Sequence, residues 1–207
     1  MINLKRKSIS VFSVPLVIVW VIFLILVIAC DEGGLSPIEY KKWVEDENNG
    51  LKQELVVDSI IFLLQYTPVD YLVVNEKKSE EITATELHTM REKRKALVCF
   101  KLTILNPDRT GYFSQASEKS FGAYHLFSIE NDFKLTCNAD TIDCLMYQYE
   151  NHGGISPDCM LIGFSNKNID INNGFDVVYV DKIMHIGNVV FSYNKETIKS
   201  IPNLITK

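Results

Sequence analysis

The chain has 207 residues, 47% of them hydrophobic, and a formal net charge of −5. Setting aside Lys5, Arg6 and Lys7 leaves 18 basic against 26 acidic residues, about −8 for the remainder. A body this acidic excludes charge-driven binding of nucleic acid or of anionic lipid, and its length suits one domain with a sizeable core.

The first element is an export leader. Lys5, Arg6 and Lys7 precede an uncharged apolar run from Val11 to Ala29, interrupted early by Ser13 and Pro15. Nineteen residues can span a bilayer and exceed the usual apolar region of a cleaved signal, so an uncleaved signal anchor is one reading. A cysteine directly behind a small residue favours the other. Val27-Ile28-Ala29-Cys30 resembles the lipobox of bacterial lipoproteins. The resemblance implies cleavage between Ala29 and Cys30, a thioether diacylglycerol on Cys30, and a palmitate-type anchor in the lipid bilayer. Two or three acyl chains hold a membrane stably where one does not. In either reading Lys5, Arg6 and Lys7 stay cytoplasmic and the rest is exported. Asp31-Glu32-Gly33-Gly34 follows as a short acidic tether. The acidic pair resembles the surface-export signal of Bacteroidetes-type lipoproteins, although aspartate at the second position implies inner-membrane retention in other Gram-negative groups. The expected organisation is a signal peptide over 1–29, a lipidated tether over 30–35 and a globular domain over 36–207, held at the outer membrane in preference to the inner.

Ser36-Pro37-Ile38-Glu39 has the composition of a capped helix start, with Ile38, Tyr40 and Trp43 as an apolar stripe and Asn49-Gly50 as its end. Leu51–Val57 and Ile60–Tyr66 read as strands joined at Asp58-Ser59. Thr67-Pro68-Val69-Asp70 suggests a short helical turn, although Val73 and Val74 favour strand. Thr83–Ala96 reads as a helix with Leu87, Met90, Arg94 and Leu97 on one face and cations at its C-terminal end. Leu97–Leu105 is a strand running into the turn Asn106-Pro107-Asp108. Further short strands are expected over Tyr124–Ile129, Phe133–Cys137, Cys144–Glu150, Cys159–Phe164, Phe175–Val180 and Asn188–Ser192, with Asn194 capping a last helical turn. The pattern predicts a mainly β fold with peripheral helices, an antiparallel sandwich or barrel, with a β-sandwich-like single domain as the chosen form.

With Cys30 lipidated, Cys99, Cys137, Cys144 and Cys159 remain, and an even number in an exported domain permits two disulfides. Cys137 and Cys144 flank Asn138-Ala139-Asp140-Thr141 and are the candidate cross-hairpin bridge, against the alternative of four buried small hydrophobes. His88, His125, His152 and His185 form no metal-ligand spacing, so no metal and no cofactor is expected. His152-Gly153-Gly154 resembles an esterase oxyanion loop, but no G-x-S-x-G elbow accompanies it, and a surface turn is preferred. Asn166–Asp176 alternates oxygen ligands suited to calcium but has Asn173 and Tyr179 where an EF-hand needs glycine and glutamate; a turn is the better reading. Arg91, Lys93, Arg94 and Lys95 make the one basic cluster, read as a solvated helix end. Tyr112, Phe113, Phe121, Tyr124, Phe127, Tyr147 and Tyr149 could line a glycan surface but read better as core.

Ser36, Pro37, Glu39, Tyr40, Trp43 and Val44 give the mature start a likeness to small exported lipoproteins of unknown function, which carries no activity. The expectation is a non-enzymatic, membrane-anchored binding or structural component of the cell envelope with an envelope protein partner. The rivals are a surface glycan-binding or hydrolytic lipoprotein and an immunity or inhibitor lipoprotein. Oligomeric state is not legible.

Overall fold

Two capping boxes and a left-handed two-residue turn fix the start of the architecture. A computed structural model describes residues 34–77, 81–108, 124, 128–150, 159–167, 169–182 and 184–206. Helix α1 spans Pro37–Glu45 and is opened by Ser36 and Glu39, which exchange side-chain and backbone bonds. It ends earlier than expected. Asp46 turns to extended backbone and caps a separate 3-10 turn over Glu47–Asn49, which closes on Gly50 at φ +73°. Strands β1 (Lys52–Val57) and β2 (Ile60–Thr67) follow. They join through Asp58 and Ser59, both at positive φ, as a primed two-residue turn demands. Helix α2 covers Val69–Lys77 and α3 covers Ala84–Arg94, the latter boxed by Thr83 and Glu86. The β-branched pair Val73 and Val74 sits inside α2 because both side chains are buried; packing overrides local preference there.

The remaining strands are β3 (Leu97–Leu105), β4 (Phe133–Cys137), β5 (Asp140–Glu150), β6 (Cys159–Ser165), β7 (Gly174–Val180) and β8 (Asn188–Asn194), with helix α4 over Lys195–Lys199. The described residues of the strand expected over Tyr124–Ile129 are not in a strand. Tyr124 is helical and Ile129–Asp132 makes a 3-10 turn leading into β4, while residues 125–127 lie outside the described residues. The turn is set by tertiary contacts: Ile129 and Asp132 are both fully buried.

All eight strands form one antiparallel sheet in the order β1-β2-β3-β6-β5-β4-β7-β8. The fold is mainly β with peripheral helices. The sheet curls until its edges approach: Gln53 on β1 donates its side-chain amide to the Ser192 carbonyl on β8 at 2.8 Å. The two halves then face each other across a shared core, so one curled sheet does the packing of a two-sheet sandwich. Aromatic rings fill the space between them. Tyr66 and Phe100 pack against Phe175 and Tyr193, with centroids 5.6–6.2 Å apart, and Phe62 meets Tyr179 at 6.0 Å. Tilted and edge-to-face rings are the favoured contacts at this spacing.

Because every neighbouring pair is antiparallel, connections alternate between two ends of the sheet. One end carries α1, α2 and α3, the 138–139 turn, the 3-10 turn Ile171–Asn173, and α4 with the C-terminal stretch. The opposite end carries the Asp58-Ser59 turn, the 3-10 turn Ile129–Asp132 that enters β4, and the residues Asp181 and Lys182 that leave β7.

Candidate functional site

The end opposite the helices holds the one charged side chain that is wholly buried among the described residues. Asp132, at 0% exposure, closes the 3-10 turn before β4. A carboxylate removed from water must be paired and hydrogen-bonded. Lys182 reaches it from the β7–β8 connection at 2.5 Å, and the Tyr124 hydroxyl donates to its other oxygen at 2.7 Å. A second aspartate organises the same connection. Asp181 accepts the backbone N–H groups of Met184 and Ile186, both at 2.8 Å, and the Tyr179 hydroxyl at 3.4 Å. His185 turns the chain at φ +59° between them. Asp132 thus joins Tyr124 to Lys182, Asp181 joins Tyr179 to Met184 and Ile186, and the rings of Phe133 and Tyr179 beside them lie 5.2 Å apart.

Both tyrosine hydroxyls of this cluster are held in their neutral form. Burial, then the bond to Asp132, pushes the Tyr124 hydroxyl up to about 12. Tyr179 is raised further, by burial and by the charges of Asp181 and Asp132. Both tyrosines therefore stay neutral donors in any ordinary medium. Sequence reading did not single out Asp132, Asp181 or Lys182. The available signal was an isolated acidic residue at a strand entry, Asn131-Asp132-Phe133, and its mirror at a strand exit, Val180-Asp181-Lys182.

The residues singled out from sequence fall as follows. Ala29 and Cys30 lie outside the described residues, as do His125, His152, Gly153, Gly154, Asn168, Tyr112, Phe113, Phe121 and Phe127. The Cys137–Cys144 bridge is not formed, and all four described cysteines are free thiols. The ladder explains it. Cys137 stands opposite Asp140, whereas Cys144 has moved on to pair with Phe164 of β6, four positions from where it would have to be. Four positions on a strand are about 13 Å, beyond the reach of a disulfide. The Cys137 thiol instead donates to the Asp170 carbonyl at 3.4 Å, and the Cys144 thiol to that of Met146 at 3.1 Å. Burial raises Cys99, Cys137, Cys144 and Cys159 alike, which keeps them as unreactive thiols.

His88 and His185 are exposed and far apart in the chain. No group of metal-binding side chains occurs among the described residues. In the Asn166–Asp176 stretch, Asp170 spends its carboxylate on Asn172 and Asn173, capping a 3-10 turn over Ile171–Asn173. The basic cluster is largely matched internally. Arg91 grips Asp70 through two bonds of 2.7 and 2.5 Å, Arg94 pairs with Glu76, and Lys95 with Glu92. Lys93 lines a groove of about 340 Å³ between α2 and α3 that also carries Glu76 and Glu86. Tyr124, Tyr147 and Tyr149 are half-buried against the core, as the packing alternative held.

The helix-bearing end carries the segment that leads into α1. Leu35 donates its N–H to the Asn203 carbonyl at 2.7 Å and accepts from Ile205 at 2.9 Å, a parallel bridge that fastens the segment ahead of α1 to the C-terminal stretch. Gly34 passes so near Asn203 that a Cβ would stand 2.4 Å from its carbonyl oxygen, so only glycine fits. No helix among the described residues is long and apolar enough to cross a membrane. No family model matches the chain, and neither a curated protein nor a solved structure matches it.

Proposed function

We propose that this chain is a lipid-anchored, non-enzymatic component of the bacterial cell envelope, tethered through acylated Cys30 and binding an envelope protein partner. The observation that carries the reading is Val27-Ile28-Ala29-Cys30 at the end of an uncharged run behind Lys5, Arg6 and Lys7. Two features of the domain support it. Its interior is occupied by packed rings, which suits recognition on the outer surface in place of a ligand held in a lumen. Its two ends are differentiated, one carrying the tether root and the other the aspartate-braced connections, so an anchored copy presents a defined surface away from its own anchor. Loops positioned by a rigid scaffold are where recognition usually sits.

The test is the intact mass of membrane-extracted protein, with and without an inhibitor of signal peptidase II. The expected product begins at a diacylated or triacylated Cys30, and the precursor accumulates under inhibitor. Cys30→Ser should abolish both the mass increment and membrane retention. A chain beginning at Met1 in both samples would sink the lipoprotein reading in favour of a signal anchor. Photo-crosslinking from position 185 in the intact envelope then addresses the partner. A discrete protein adduct is expected, and a crosslink smear equal to that from position 88, exposed on α3 at the other end, would remove the binding end from the proposal.

A further inference from the structure

The root of the tether is fixed and carries apolar side chains in solvent. Leu204, the bridge partner of Leu35, is buried, and Leu35 is bonded to both Asn203 and Ile205. Ile205 lies against Gly34, with its Cγ1 3.1 Å from where a Cβ would be, and is 51% exposed. Ile38 stands in the first turn of α1 and is 45% exposed. Three peptide links separate it from Leu35, a reach of at most about 11 Å. The other strongly exposed large hydrophobics of the described residues, Val56, Leu145 and Val190, lie on strands of the sheet.

An isolated exposed isoleucine needs no explanation. These two are different because of what the sequence puts just ahead of them. Four peptide links separate Cys30 from Gly34, and they span at most about 14 Å when fully extended. With acyl chains on Cys30, residue 34 cannot stand further than that from the lipid headgroups.

We infer that the tether-root face, with Ile38 and Ile205 at its centre, seats on the bilayer surface. This rests on the lipidation of Cys30 proposed above. The occupant is lipid because the short tether brings lipid to this face ahead of any other surface. Charge does not drive the contact. Lys41 pairs with Glu45 at 3.8 Å, and Glu39 is held in the cap by Ser36 with Lys42 beside it. Apolar side chains dipping into the headgroup boundary supply the attraction, as they do for interfacial helices.

The experiment uses the full acylated chain in phosphatidylethanolamine–phosphatidylglycerol vesicles. Trp20 leaves with the leader, so Trp43→Phe gives a mature chain without tryptophan, into which one reporter at a time is placed. Ile38→Trp and Ile205→Trp should lose emission when brominated phospholipid replaces its parent. Val56→Trp and Val190→Trp should keep theirs, and the contrast should persist at high salt. Intact mass of each variant confirms acylation, and circular dichroism its fold. Acylated protein with all four reporters unquenched means the domain swings free, which overturns the inference and leaves the anchor standing. Equal quenching at all four sites overturns it as non-specific adsorption. An unacylated Cys30 overturns the anchor reading, and the inference with it.

Discussion

Lys182→Met is expected to destabilise the domain more than its position suggests. Its side chain is 52% exposed, and a pair of two such residues would be worth up to about 1 kcal/mol. Its partner is wholly buried, however, and stranding one charge of a buried pair costs about 3–5 kcal/mol. The present pair lies between these limits. After the substitution, the donor left to the Asp132 carboxylate among the described residues is the Tyr124 hydroxyl. We expect a loss of about 2–3 kcal/mol, a fall in Tm of about 4–12 °C for a domain of this size. Asp132→Asn keeps the shape and removes the charge, so it should cost less, about 1–2 kcal/mol for the weakened hydrogen bonds. In the double variant no lone charge remains in the core. Its cost should fall below the sum of the singles by at least about 0.5 kcal/mol. Urea unfolding monitored by circular dichroism, with m unchanged across the set, supplies the four free energies. A cost for Lys182→Met under about 0.5 kcal/mol, or strict additivity, would refute the argument that Asp132 depends on Lys182.

Three further outcomes follow from local geometry. Gly34→Ala drives a Cβ into the Asn203 carbonyl and should cost about 1–3 kcal/mol, whereas Gly187→Ala, at φ +77° with nothing within 4 Å, should cost only about 1 kcal/mol of backbone strain; paired urea titrations check the ranking. Phe100→Ala removes a ring that touches Tyr66, Phe164, Phe175 and Tyr193 and should cost about 3–5 kcal/mol, read as a shift in urea midpoint. The bonds from Lys77, then from Thr83, hold Glu86 down at about 2, below its ordinary 4.5. A depressed carboxylate adds stability above its unfolded value and loses it as pH falls. The start of α3 should therefore weaken between about pH 4.5 and 2, and an acid titration of Glu86→Gln should lack that component.

Much of the scaffold is legible in the chain because its signals are local. Ser36-Pro37-x-Glu39 and Thr83-x-x-Glu86 complete their bonds within four residues, so both helix starts are readable without tertiary knowledge. The Asp58-Ser59 turn and the alternating burial of Phe175–Val180 and Val189–Tyr193 are local in the same sense. What sequence misses depends on distant partners. Tyr124–Ile129 has strand composition, yet Tyr124 is held by Asp132, and the buried turn that results outweighs propensity. Cys137 and Cys144 look opposed across a hairpin because spacing shows nothing of a ladder that sets Asp140 there instead. The site is the least legible part. Asp132 meets Lys182 across fifty residues, and neither residue belongs to a motif that would announce the other.

The antiparallel order also gives the proposals a common geometry. Each connection returns the chain to the other end of the sheet, so the tether root and the Asp132–Lys182 brace must lie at opposite ends, whatever the loops between them do. Strands of seven to nine residues such as β3 and β8 put about 20–30 Å between those ends. A four-residue tether cannot make up that distance. If the root face seats on lipid, the braced end is held one sheet-length above the membrane and pointed away from it, and a partner that meets this protein must approach from the aqueous side. Crosslinks from position 185 and lipid quenching at positions 38 and 205 are therefore linked outcomes. In one seated molecule both occur together, while a domain that lay on its side would show quenching at the sheet positions and lose the discrete adduct.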